Sequence, residues 1–173
     1  MTTLQKMILG MLGGIVATGP MTVAMILLHR RLPIRERYPL PPREITMKLA
    51  RKSGVDDQLD ASARSAVTMI SHFAYGAATG TLYATALDVE RAPLSKGAVF
   101  GLFVWVASYL GWLPATGILS PATEHPARRN ALMIAAHLVW GITLGAFVSL
   151  LAAEIRGTTP APFSEELAPH RDL

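Results

Sequence analysis

Apolar residues dominate four stretches of the chain, from about Leu4 to Leu28, Ala63 to Leu87, Leu94 to Leu113 and Ala131 to Ile155, and lysines and arginines stay out of their centres. A helix rising 1.5 Å per residue needs about 20 such residues to cross roughly 30 Å of hydrocarbon. The pattern therefore predicts an all-α integral membrane protein, with four transmembrane helices forming a single domain over residues 1–156. The first stretch exceeds the roughly 7 to 15 apolar residues of a signal-peptide core, and no small-x-small cleavage site follows it, so it reads as a span.

The longest polar segment separates the first two stretches. Pro33, Pro39, Pro41 and Pro42 hold its first part extended, because proline lacks an N–H and restricts the residue before it. Over about 42–53 the pattern changes to helical: Ile45 and Leu49 fall at i and i+4, Arg43, Lys48, Arg51 and Lys52 supply charge, and Gly54 stops the run. This predicts an interfacial amphipathic helix whose four cations meet anionic lipid headgroups. Proline and acidic residues over 157–173 predict a disordered tail.

Composition agrees with a bilayer as solvent, since 51% hydrophobic and 16% charged residues, with a mean hydropathy of +0.35, leave too little polar surface for water. The net charge of +4 does not point to nucleic acid, because the cations sit beside apolar runs and form no basic face. The absence of cysteine excludes disulfides, thiolate metal sites and cysteine nucleophiles. With four spans, 11 lysines and arginines fall on the side of the long first loop and 5 on the other. The positive-inside rule then places the long loop in the cytoplasm and both termini outside.

The second and fourth stretches share a pattern, with His72, Tyr75, Gly76 and Gly80 matching His137, Trp140, Gly141 and Gly145 at an offset of 65. A fainter match pairs Lys6, Leu12, Val16 and Ala17 with Lys96, Leu102, Val106 and Ala107 at an offset of 90. Two parallel-repeat hairpins, related by a pseudo-two-fold axis along the membrane normal, are the expected arrangement. Each stretch also carries a glycine pair at i and i+4: Gly10 with Gly14, Gly76 with Gly80, Gly97 with Gly101, Gly141 with Gly145. Lipid gives helices no hydrophobic reason to associate, so these small residues are the expected packing surface.

Chemistry is harder to find. Thr68, His72, Tyr75, Thr79 and Tyr83 form a polar stripe on the second stretch, and polar groups in hydrocarbon must face a bundle or a wet cavity. His72 and His137 fall at similar depth on helices of the same direction, where they satisfy themselves within the core, ligate a haem b iron from two sides, or serve a proton-relay or metal role. They leave a tetrahedral zinc site two ligands short, and Glu124 and His125 lie in a loop, so no metal site is expected. No phosphate-binding glycine loop, metalloprotease or nucleophile-elbow motif is present, and no span holds a carboxylate near its centre for ion coupling, Glu154 falling at the very end of the fourth.

Tyr38 to Arg43, Pro93 through Gly101 to Pro121, and His137 to Trp140 together resemble the YagU-like family of uncharacterised bacterial inner-membrane proteins. The resemblance implies a small multi-span inner-membrane protein with no established activity, and it assigns no site residue. More basic termini in that family imply termini inside, against the count of 11 to 5. The expectation that follows is a non-enzymatic subunit without a cofactor, associating with a larger membrane complex or with itself. A bis-histidine haem carrier and a small channel or proton-responsive protein lined by the polar stripe are the alternatives.

Overall fold

A computed structural model describes residues 1–87, 93–155 and 157, and among them every regular element is helical. Helices α1 (Thr3–His29), α2 (Pro41–Lys52), α3 (Ala61–Ala86), α4 (Pro93–Ala115) and α5 (Ala127–Ile155) follow one another. By length and composition α1, α4 and α5 are apolar enough to cross a membrane. The proline-rich tail beyond Gly157, with Arg91, Arg156 and Arg171 of the charge count, lies outside the described residues.

Local signals set the helix ends. Thr2 caps α1 by accepting from the Gln5 N–H at 3.2 Å, while the Gln5 side chain accepts from the Thr2 N–H at 2.7 Å. Asp60 caps α3 by accepting from the Ala63 N–H at 2.8 Å, which holds the Asp60 carboxyl below its usual range. Gly54 closes α2 with a φ of 69°, a left-handed conformation open to glycine at no steric cost. Within α3, the Thr68, Thr79, Thr81 and Thr85 hydroxyls each donate to the carbonyl four residues earlier. A helix of modest hydropathy thus leaves few hydroxyls without a partner.

The long helices pack in the order α3, α1, α5, α4, so that α1 lies along both α3 and α5, and α4 lies along α5. α3 and α4 make few contacts with each other, which leaves the ring open on one side. Glycines let backbones meet within each outer pair. A Cβ on Gly10 would strike the Gly80 carbonyl oxygen, and one on Gly14 the Gly76 carbonyl oxygen. Likewise a Cβ on Gly97 would strike the Gly141 carbonyl oxygen, and one on Gly101 that of His137. Gly14 faces Gly76, and Gly97 faces Gly141.

α2 turns its buried residues, Pro41, Thr46, Met47 and Ala50, toward the bundle and packs along α3. Of the two residues that define its apolar face, Ile45 is half-buried and Leu49 stays 42% exposed; Arg43, Arg51 and Lys52 are exposed too, and Lys48 is half-buried. Lys52 donates to the Thr116 carbonyl at 2.8 Å, tying α2 to the end of α4. Before α2 the chain is fastened by Arg129, a cation only 5% exposed. Its guanidinium donates to the carbonyls of Glu36, Tyr38 and Pro39, each at 3.0 Å, and stacks 3.5 Å above the Tyr38 ring.

Candidate functional site: a cavity between two helices

Where α3 and α4 fail to pack, they enclose a cavity of about 180 Å³. α3 contributes His72, Tyr75 and Thr79, α5 contributes Met133, His137 and Trp140, and Thr18 and Met21 of α1 line the back. Ile45 and Leu49 of α2 cover the end nearest the long loop. The remaining wall comes from a break in α4. Pro114 has no N–H to offer the Leu110 carbonyl, and residues 107–112 widen into a π-turn with a kink at Gly111 (φ −109°, ψ −108°). The sequence reading ends the third span at Pro114, but the helix carries on to Ala115 through this wider turn. Ser108, Tyr109, Trp112 and Leu113 of the turn and the residues around it thereby line the cavity.

Tyr75 crosses the gap, its hydroxyl 2.9 Å from the Ser108 hydroxyl and its ring 6.2 Å from Trp112. Tyr75 and Trp112 are each 40% exposed, which marks the rim facing away from the bundle. Beyond Thr79 lie buried aromatics, the Tyr83 ring tilted at 5.2 Å from the Phe100 ring and Trp140 stacked at 6.1 Å from it. Tyr83 is fully buried and donates to the Pro93 carbonyl at 3.3 Å, so it closes the far end where α3 meets α4. Of the polar stripe, then, His72, Tyr75 and Thr79 line the cavity, while Thr68 and Tyr83 do not.

The two histidines differ. His137 Nδ1 lies 2.7 Å from the Met133 carbonyl, and because a carbonyl only accepts, Nδ1 carries the proton. Nε2 of the neutral ring is then a bare acceptor, with the Tyr109 ring edge-on at 5.9 Å. His72 Nε2 is buried with no hydrogen-bond partner among the described residues. Burying such an atom unpaired costs about 1–3 kcal/mol. His72 lies 12 residues past the Asp60 cap and His137 10 past the start of α5, about 18 Å and 15 Å along their helices. No three His, Asp or Glu residues among those described are grouped to hold a metal ion.

The π-turn residues and Arg129 escaped the sequence reading. Gly111 and Pro114, three residues apart, are the only signal of the former. Arg129 has the same signature as any cation flanking a span.

No curated protein and no solved structure matches the chain. A family model described as a protein of unknown function (DUF1440) matches residues 28–146, which include every cavity-lining residue except Thr18 and Met21. That match covers more than half of the chain, and the chain belongs to this family of proteins of unknown function.

Proposed function

We propose that the chain is a four-span inner-membrane protein that takes a small bilayer-soluble ligand into the cavity between α3 and α4. The observation that carries this reading is an apolar cavity with a few convergent polar groups, placed where two helices part, as membrane-facing binding sites require. α3 is the fourth span. It packs along α1 through Gly10 against Gly80 and Gly14 against Gly76, so a bilayer crossed by α1 is crossed by α3 at the same depth. Its back-bonded threonine hydroxyls lower the cost of doing so. The long loop is cytoplasmic by the charge count, and the basic side of α2 meets headgroups there. The resemblance of the Tyr38–Arg43 and His137–Trp140 strings to YagU-like proteins belongs to the same reading.

The two outer pairs are two copies of one hairpin in parallel. Matching glycine registers support this, although the symmetry is broken because α1 and α5 pack closely while α3 and α4 do not. The open side of the broken ring is the cavity.

A ligand site also fits better than an association role. The glycine pairs face one another inside the chain, so they offer no surface for a partner subunit or a second copy.

Photolabelling in bilayers with a small hydrocarbon diazirine tests the proposal. Adducts are expected on Met21 and Met133, which are 6% and 4% exposed, as well as on lipid-facing Ile70 and Val99. Filling the cavity with Val104→Phe should remove the first pair and spare the second. Adducts confined to the outer faces, and indifferent to Val104→Phe, would contradict a ligand site.

A further inference from the structure

We infer that the ligand is a single-chain anionic amphiphile, its hydrocarbon chain in the cavity and its acidic head on Lys52. This rests on the proposed bilayer-side ligand site and names the class of molecule that the site selects.

Three residues line the cavity and are exposed as well: Leu49 of α2 at 42%, and Tyr75 of α3 and Trp112 of α4 at 40% each. They mark its mouth. Leu49 is the last residue of α2 in the wall, and Leu113 is the last of α4. Three residues beyond each, Lys52 meets Thr116, the Lys52 Nζ donating to the Thr116 carbonyl at 2.8 Å. That bond holds an exposed cation just outside the mouth. α3 begins at Ala61, α4 ends at Ala115 and α5 begins at Ala127, so a bilayer crossed by these helices has its headgroups near the level of Lys52.

The charge there is open to an anion. An ammonium carries three N–H donors, and the Thr116 carbonyl takes one, so two remain. Lys48 stands four residues before Lys52, a spacing at which like charges on a helix repel. Neither lysine forms an ion pair among the described residues, since Glu44, the one acid of α2, lies two turns from Lys52 and Asp56 is held by Arg64 at 3.2 Å. A phosphate or carboxylate at the mouth relieves that repulsion, and a neutral head does not.

The interior suits one chain. Its volume of about 180 Å³ is close to the roughly 150 Å³ of a protein cavity that takes up benzene, so it holds about six carbons. The two chains of a diacyl lipid do not fit together in that space. Met21, Val104, Leu113 and Met133 supply apolar wall, and unbranched methionines adapt to an irregular occupant.

Equilibrium binding to the full-length protein in nanodiscs of zwitterionic lipid, corrected for empty nanodiscs, tests this with octyl phosphate, octanol and inorganic phosphate. Octyl phosphate is expected to bind saturably and at least about tenfold more tightly than either of the others, as a charge-assisted hydrogen bond added to chain burial requires. Lys52→Gln keeps a donor for the Thr116 carbonyl and removes the charge, so it should weaken octyl phosphate about tenfold and leave octanol unchanged. Arg51→Gln removes the same charge from the side of α2 away from Leu49 and should leave both unchanged. Filling the cavity with Val104→Phe should weaken both. Comparing the three probes needs no substitution, so it decides the matter even if a variant fails to fold. Equal binding of octyl phosphate and octanol would overturn the acidic head while leaving a ligand site in place. Equal binding of octyl phosphate and inorganic phosphate would overturn the chain, and binding of none would overturn the ligand site as well.

Discussion

Replacing Gly80 by alanine should unfold the bundle far more readily than a larger substitution two residues away. A Cβ at Gly80 would meet the Gly10 carbonyl oxygen and the Gly14 backbone, and none of these atoms can rotate aside as a side chain would. Overpacking a well-packed interior costs about 1–3 kcal/mol, and a clash with backbone belongs at the upper end. Gly97→Ala, which strikes the Gly141 carbonyl oxygen in the other pair, should lose a similar amount. Ala78→Leu adds more atoms to the same helix, but Ala78 is exposed on the outer face, and the change should be nearly neutral. Helical signal followed through a denaturing-detergent titration measures all three. Equal midpoints for Gly80→Ala and Ala78→Leu would show that the glycine contacts do not hold α1 to α3.

The second large effect is expected at Arg129. Three carbonyl acceptors and the Tyr38 ring converge on one guanidinium, and hydrogen bonds to a charged group contribute about 1.5–3 kcal/mol each where they are well formed. Arg129→Gln should therefore destabilise the protein by about 3 kcal/mol or more and release the segment from Pro33 to Leu40. Trypsin reads this directly, because Arg35 and Arg37 sit in that segment and should be cleaved faster once it detaches. Arg129→Lys keeps the charge but has no planar fork to span three carbonyls, so it should restore only part of the resistance. Unchanged cleavage in Arg129→Gln would mean that the segment is held by other contacts, such as the His29 ring 3.1 Å from the Tyr38 carbonyl.

These two expectations show where the sequence was informative. The lengths of the apolar runs placed the long helices to within a few residues, and Gly54 marked the end of α2, whereas the caps at Thr2 and Asp60 came only with the structure. The glycine pairs were visible too, yet their partners were not. A glycine pair at i and i+4 marks a packing face, but not which residue of which helix lies opposite it. An amphipathic pattern reports that α2 has an apolar face, not whether lipid or α3 covers it. Arg129 looks like a flanking cation because its acceptors are backbone carbonyls more than 90 residues before it, which no composition records. The cavity was the least legible feature. It exists because α3 and α4 do not pack, and a missing contact leaves no pattern in either helix. The polar stripe on the second stretch and two histidines at similar depth were the signals that pointed toward it.

Whether α3 crosses the bilayer decides whether that cavity faces lipid or water. The chain contains no cysteine, so single cysteines can be introduced at Ser62 and Thr85, exposed positions near opposite ends of α3. With a membrane-impermeant maleimide, Ser62→Cys should react in inside-out vesicles only and Thr85→Cys in right-side-out vesicles only. The opposite assignment would reverse the orientation and keep the span. Reaction of both cysteines from the same side would contradict a fourth span, and with it a ligand entering from the bilayer.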